Sequence, residues 1–263
     1  DYDVMRGVAG WLKGAGALYR STSDSEVFDS VVGSGRLLQR FVGKVANSSS
    51  RIEHRLLSTG YSHGASGIAD ALGCAYEFTG EEAFARSALD CVAYEARAHN
   101  RFNPVWKAVA EKEAAATTST WCHGKVGIGL ARLSLLRTIG RLLGANVLRS
   151  DLRTCEMAAL SSLEAGGGLS LCHGVAGILN FLLELSRSVR PSLRDRVASQ
   201  SRLLASSLVE SNFLGDVAGG DAVVPGLLPG IAGVGYYLLR AMNHAVPDVL
   251  SMAGPEGGGL TQY

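Results

Sequence analysis

Residues 120–133 read Thr-Trp-Cys-His-Gly-Lys-Val-Gly-Ile-Gly-Leu-Ala-Arg-Leu, and residues 170–179 repeat the theme as Ser-Leu-Cys-His-Gly-Val-Ala-Gly-Ile-Leu. In both, a Cys-His pair runs into Gly-x-x-Gly, and an apolar segment without strand-like alternation comes next. The same glycine pair recurs at Gly7 and Gly10, Gly64 and Gly67, and Gly230 and Gly233. With Gly124 and Gly174 included, the first glycines stand 57, 60, 50 and 56 residues apart. Self-similarity at such a period is the mark of a repeat architecture.

The segments after the glycines, such as ILNFLLELSRSV from Ile178, are apolar on most faces, which predicts helices buried inside a larger structure. Amphipathic, charge-bearing stretches lie between them, at 80–100 and from Pro191 to residue 211, and these read as outer helices. Residues 50–60 and 108–120 read as loops or short outer helices. A unit of inner helix, turn, outer helix and glycine-rich loop cannot bury its own apolar face, so it must stack or close. The predicted fold is all-α, an α/α toroid with inner and outer helices, forming one domain over 1–263.

Composition narrows the function classes. With 25 Lys and Arg against 24 Asp and Glu the net charge is +1, so no domain-wide field attracts nucleic acid. At 47% hydrophobic and 19% charged residues the chain is globular. Its 33 glycines in 263 residues, with only 6 prolines, imply assigned structural places rather than low complexity. Five cysteines without C-x-x-C spacing, and no signal sequence at the N-terminus, point to a reducing, cytoplasmic setting. Two uncharged runs, 165–183 and 222–239, reach membrane-span length, but glycines in the first and Pro225 and Pro229 in the second make each a loop leading into a buried helix. No integral membrane segment is expected.

Polar residues precede the glycines in four of the five repeats: Asp3, His63, Cys122 with His123, and Cys172 with His173. Loops at one end of a helical ring converge, so these residues share one mouth. Cysteine sulfur and histidine nitrogen suit tetrahedral zinc, and three protein ligands leave an open position that His123 would close as a fourth. The spacing alone equally admits ordinary buried cysteines. Cys74, Cys91 and Cys155 are expected to be core residues, His54, His99 and His244 surface residues, and Trp106 and Trp121 packing residues.

The segments YDVMRGVAG (2–10), GYSHGASGIADAL (60–72), TWCHGKVGIGLARL, SLCHGVAGIL and PGLLPGIAGVGYYLLR (225–240) together resemble the lanthionine synthetase C-like cyclase family. Their wording is most similar to the C-terminal cyclase domain of class II bifunctional lanthipeptide synthetases. The resemblance implies a toroid of seven inner and seven outer helices around zinc. Five motifs then imply an incomplete ring, with the missing repeats and a dehydratase domain upstream of residue 1. It further implies that Cys122, Cys172 and His173 ligate Zn2+, that His123 does not, and that His63 and Asp3 are the acid/base residues. The arginine that some members carry four residues before the first zinc cysteine is Thr118 here. The implied activity is thioether ring formation, in which a cysteine thiolate of a dehydrated, leader-bearing precursor peptide adds to dehydroalanine or dehydrobutyrine. A zinc-containing module that binds thiol, glutathione or peptide without cyclising it is the alternative.

Overall fold

The computed structural model describes residues 1–46, 58–98, 119–142, 144–210 and 224–252. Among these residues the chain forms nine α-helices: α1 (Val8–Thr22), α2 (Ser25–Ala46), α3 (Ala65–Thr79), α4 (Glu82–Ala98), α5 (Lys125–Thr138), α6 (Ala145–Ala165), α7 (Val175–Ser188), α8 (Arg194–Glu210) and α9 (Ile231–Met242). The odd-numbered helices pack side by side in chain order, α1 on α3, α3 on α5, α5 on α7 and α7 on α9. The even-numbered helices lie against them from outside, each on the inner helix that precedes it. This is the two-layered helical ring that the repeat pattern predicts. An isolated bridge joins Ser58 to Gly64, and no strand is formed among the described residues. Residues 50–57 and 108–118, read as loops or short outer helices, lie outside the described residues, as do His54, His99, Trp106 and Thr118.

Every inner helix starts at the residue after the first glycine of its motif, which is the N-cap in an extended conformation and offers no side chain to the helix. The exposed amides of the first turn, which a Ser or Asp would normally satisfy, are instead taken by carbonyls of the preceding loop, seven residues back. Val8 donates to Asp1, Ala9 to Tyr2 and Gly10 to Asp3 at 3.2–3.3 Å. Ala65 donates to Ser58 at 2.8 Å, Gly127 to Thr120 at 3.3 Å, Val175 to Gly168 at 2.8 Å and Ile231 to Val224 at 2.9 Å. The loop therefore lies directly on the helix end. A Cβ on the second glycine of any motif would overlap a loop carbonyl oxygen: Val4 at Gly10, Tyr61 at Gly67, Trp121 at Gly127, Leu171 at Gly177 and Leu227 at Gly233.

The inner helices are buried as their composition requires. Residues 65–75 of α3 and 176–186 of α7 are buried on every face. They are not purely apolar, however. Lys13 pairs with Asp70 at 3.0 Å, Arg132 with Glu95 at 2.7 Å, and Arg240 with Glu184 at 2.7 Å, all buried. Each pair joins two helices. Pro191 opens a 3₁₀ turn, Pro191–Leu193, rather than the first α-turn of the outer helix. The uncharged run 165–183 divides between a loop and α7, and no helix among the described residues is long and apolar enough to cross a membrane.

Beyond α9 the chain turns back inward. Leu250 is fully buried and its carbonyl accepts the Trp121 indole N–H at 3.2 Å, so Trp121 packs as expected. Cys74, Cys91 and Cys155 are core residues and His244 is exposed. The two ends of the helical arc carry apolar side chains in solvent, Trp11 and Leu18 on α1, Leu239 and Met242 on α9.

The glycine requirement is testable by a pair of substitutions. Gly127→Ala forces a methyl into the Trp121 carbonyl and should cost about 3 kcal/mol of stability. Gly14→Ala, whose Cβ would meet nothing within 4 Å, should stabilise α1 by about 0.5–1 kcal/mol. Urea unfolding of the two variants gives both values.

Candidate metal centre

The five loop turns that cap the inner helices sit at one end of the ring and are stitched together in order. Val4 N–H donates to Ser62 O at 3.0 Å, Tyr61 and Ser62 N–H to Cys122 O at 3.1 and 3.0 Å, Trp121 N–H to Cys172 O at 2.9 Å, and Cys172 N–H to Leu228 O at 3.0 Å. Each turn thus hands its register to the next. Counted back from the first glycine, the adjacent position holds Arg6, His63, His123, His173 and Pro229, and the one before it Met5, Ser62, Cys122, Cys172 and Leu228. The third and fourth turns bring their cysteines together because both occupy the same place on neighbouring turns.

The donor atoms of Cys122, Cys172 and His173 lie within 4.8 Å of one another. Cys122 Sγ is 3.0 Å and Cys172 Sγ 3.9 Å from His173 Nε2. Zinc bonds of about 2.3 Å to sulfur and about 2.0–2.1 Å to nitrogen place tetrahedral donors roughly 3.5–3.8 Å apart, so these residues fit zinc with only small side-chain adjustment. Both thiols are buried and His173 is exposed, so the cluster faces solvent on its histidine side. The Cys172 thiol hydrogen-bonds to Cys122 and, with His173, holds Cys122 well below the usual cysteine range against the opposing effect of burial. Cys172, the donor in that bond, is pushed up. Cys122 is thus the thiol shifted toward the thiolate form that a metal ligand takes. The N-termini of α5 and α7, which begin three residues beyond the cysteines, favour the same charge.

Beside the cluster stands a second group. His63 Nδ1 and Asp3 Oδ2 are 2.8 Å apart, joining the first and second turns. Burial acts to raise the Asp3 carboxyl, but hydrogen bonds from His63 and from the Arg6 backbone N–H, the latter at 2.7 Å, outweigh it and keep Asp3 below the usual carboxylate range. Ser58 Oγ donates to the His63 carbonyl at 2.7 Å and steadies the same loop. The His63 ring stacks on His123, with centroids 5.5 Å apart, and His123 directly follows Cys122. The structure therefore brings all six residues expected at the mouth to one place, with His123 between the two groups.

The chain is an α/α toroid protein whose mouth joins two cysteines and a histidine that could hold a metal ion to a His-Asp pair. The family model described as lanthionine synthetase C-like protein matches residues 1–252, and the chain belongs to that family. No curated protein matches the sequence.

The donor set predicts the metal content directly. The chain should hold one zinc after dialysis against a weak chelator, and Cys172→Ala should hold none while remaining folded. Elemental analysis beside a circular dichroism spectrum of each protein checks both.

Proposed function

We propose that this chain is a zinc-dependent peptide cyclase that forms lanthionine or methyllanthionine thioethers. The observation that carries this reading is the placement of a three-ligand Cys122, Cys172 and His173 set beside the Asp3–His63 pair at one solvent-facing mouth. Family membership supports it. The substrate is a dehydrated precursor peptide, with its cysteine and its dehydroalanine or dehydrobutyrine in the same chain.

Zinc, when bound with one position open, supplies the acidity that keeps a substrate cysteine as thiolate at neutral pH. The other tasks fall to the protein. Addition of sulfur to the β-carbon creates an enolate, and the α-carbon then needs a proton. His63 is the group to deliver it, because its Nδ1 is engaged by Asp3 and its Nε2 is left for the substrate. Asp3 fixes the ring's orientation and tautomer, as a carboxylate partner does for a catalytic imidazole. The proton lost by the thiol balances the one gained by carbon, so ring closure consumes no acid or base. The N-termini of five inner helices face the mouth, and their dipoles favour both the thiolate and the enolate. A module that only binds thiols would need the metal set but no proton-delivering pair.

The exposed apolar faces of α1 and α9 support a related reading of the domain. Trp11, Leu18, Leu239 and Met242 are suited to cover by further inner helices of the same ring.

His63→Asn should keep its zinc and lose cyclisation rate by about 10²- to 10³-fold, in line with removal of a general acid. The assay counts free thiols on a dehydrated peptide by alkylation and mass spectrometry; a wild-type rate in that variant would remove His63 from the mechanism.

A further inference from the structure

Building on the cyclase reading above, the geometry points to Glu95 as the positioning residue that sets His63 against the metal ligands. Glu95 lies on the outer helix α4 and is fully buried, and its hydrogen bonds go to Gly60, Ser66 and Arg132 rather than to His63 or the cysteines. Its carboxylate receives three donors. Oε1 accepts the Gly60 N–H at 2.9 Å, and Oε2 accepts Ser66 Oγ at 2.6 Å and Arg132 Nη2 at 2.7 Å. Gly60 and Ser66 stand three residues before and three residues after His63. One carboxylate thus clamps both ends of the loop that presents the imidazole.

The clamp also sets the loop's distance from the cluster. Gly60 adopts φ +105°, and a Cβ there would come within 2.9 Å of His123 Cα and 3.0 Å of Cys122 O, so its backbone rests on the turn that carries the first cysteine. Tyr61 and Ser62 then donate to that same Cys122 carbonyl. Arg132 is itself anchored, by Asp151 of α6 at 2.8 Å, and donates to Ser66 at 3.2 Å. The path from α4 to the His63 loop runs through buried hydrogen bonds, with α6 joining it through the partly buried Asp151. An amide in place of the carboxylate offers a single acceptor oxygen and presents donors to donors, either at Gly60 or at Arg132 and Ser66. The loop must then shift, and a catalytic group displaced by a fraction of an ångström loses rate rather than substrate affinity.

The test compares zinc-loaded wild-type protein with Glu95→Gln, Ser66→Ala and Glu184→Gln. Glu184 is a buried carboxylate that pairs with Arg240, Arg137 and Arg187 and has no bond to the His63 loop. Two readouts are taken: kcat and KM for cyclisation of a dehydrated peptide, and the imidazole ¹⁵N signals of His63, assigned with His63→Asn. Glu95→Gln should lower kcat about tenfold with KM within about twofold, keep its zinc, and shift the His63 signals. Ser66→Ala should move both readouts the same way by less, and it decides the matter if Glu95→Gln does not fold. Glu184→Gln should lose thermal stability yet keep wild-type kcat and His63 signals. Wild-type kcat and unchanged His63 signals in Glu95→Gln, or in Ser66→Ala if that variant stands in, overturn the proposal, as does an equal loss of kcat in Glu184→Gln. Should wild-type protein close no thioether, the cyclase reading fails on its own, and the ¹⁵N signals still decide whether Glu95 positions His63.

Discussion

The structure depends on a backbone contact: the loop before each inner helix lies across that helix's first turn and caps it with carbonyls seven residues back. Side-chain caps are absent because the loop occupies their place. The approach is so close that the second glycine of each motif cannot carry a methyl group. This requirement recurs in all five motifs and assigns a place to five of the 33 glycines. Once each loop is seated on its own helix, its outward edge bonds to the next loop, and the five turns form a continuous rim.

That rim is where chemistry becomes possible. Equivalent positions on successive turns are neighbours in space, so a residue type placed twice at one register position makes a pair. Cys122 and Cys172 are such a pair, with His173 added from the adjacent position. His63 and His123 share that adjacent position on neighbouring turns and stack. Asp3 reaches His63 from the turn on the other side. A single scaffold geometry thus yields a soft donor set and a His-Asp pair side by side, both under the positive ends of inner helices.

Behind the rim, the ring is held in register by buried charges. Lys13 with Asp70 joins α1 to α3, Arg132 with Glu95 joins α5 to α4, and Arg240 with Glu184 joins α9 to α7. Desolvating such pairs is costly, and their net contribution to stability is small. Their value is in registry, since an apolar inner helix can slide along its neighbour, whereas a buried cation must stay within reach of its partners. Tyr61 adds to the first pair, donating to Asp70 at 2.5 Å from the loop that carries His63. Asp248, which accepts from Asn180 at 3.0 Å, similarly secures the returning segment on which Trp121 rests.

Much of this was legible in the sequence. The spacing of Gly-x-x-Gly and the apolar character of the segments after it determined inner helices, their number among the described residues and the end of the ring where polar residues gather, because period and hydrophobicity are local properties. Asp3, His63, Cys122, Cys172 and His173 were recognisable from their place just ahead of those glycines. The outer helices α2 and α6 had weaker signals, since amphipathic segments resemble one another whatever they pack against. The tertiary structure alone decided that His123 lies between the two groups, that Lys13, Asp70, Glu95 and Arg132 are buried rather than solvated, and that Glu95 on α4 reaches a loop 35 residues earlier. A charge in a sequence has no partner until folding brings one within hydrogen-bond distance, and those distances are set by helix packing rather than by residue order.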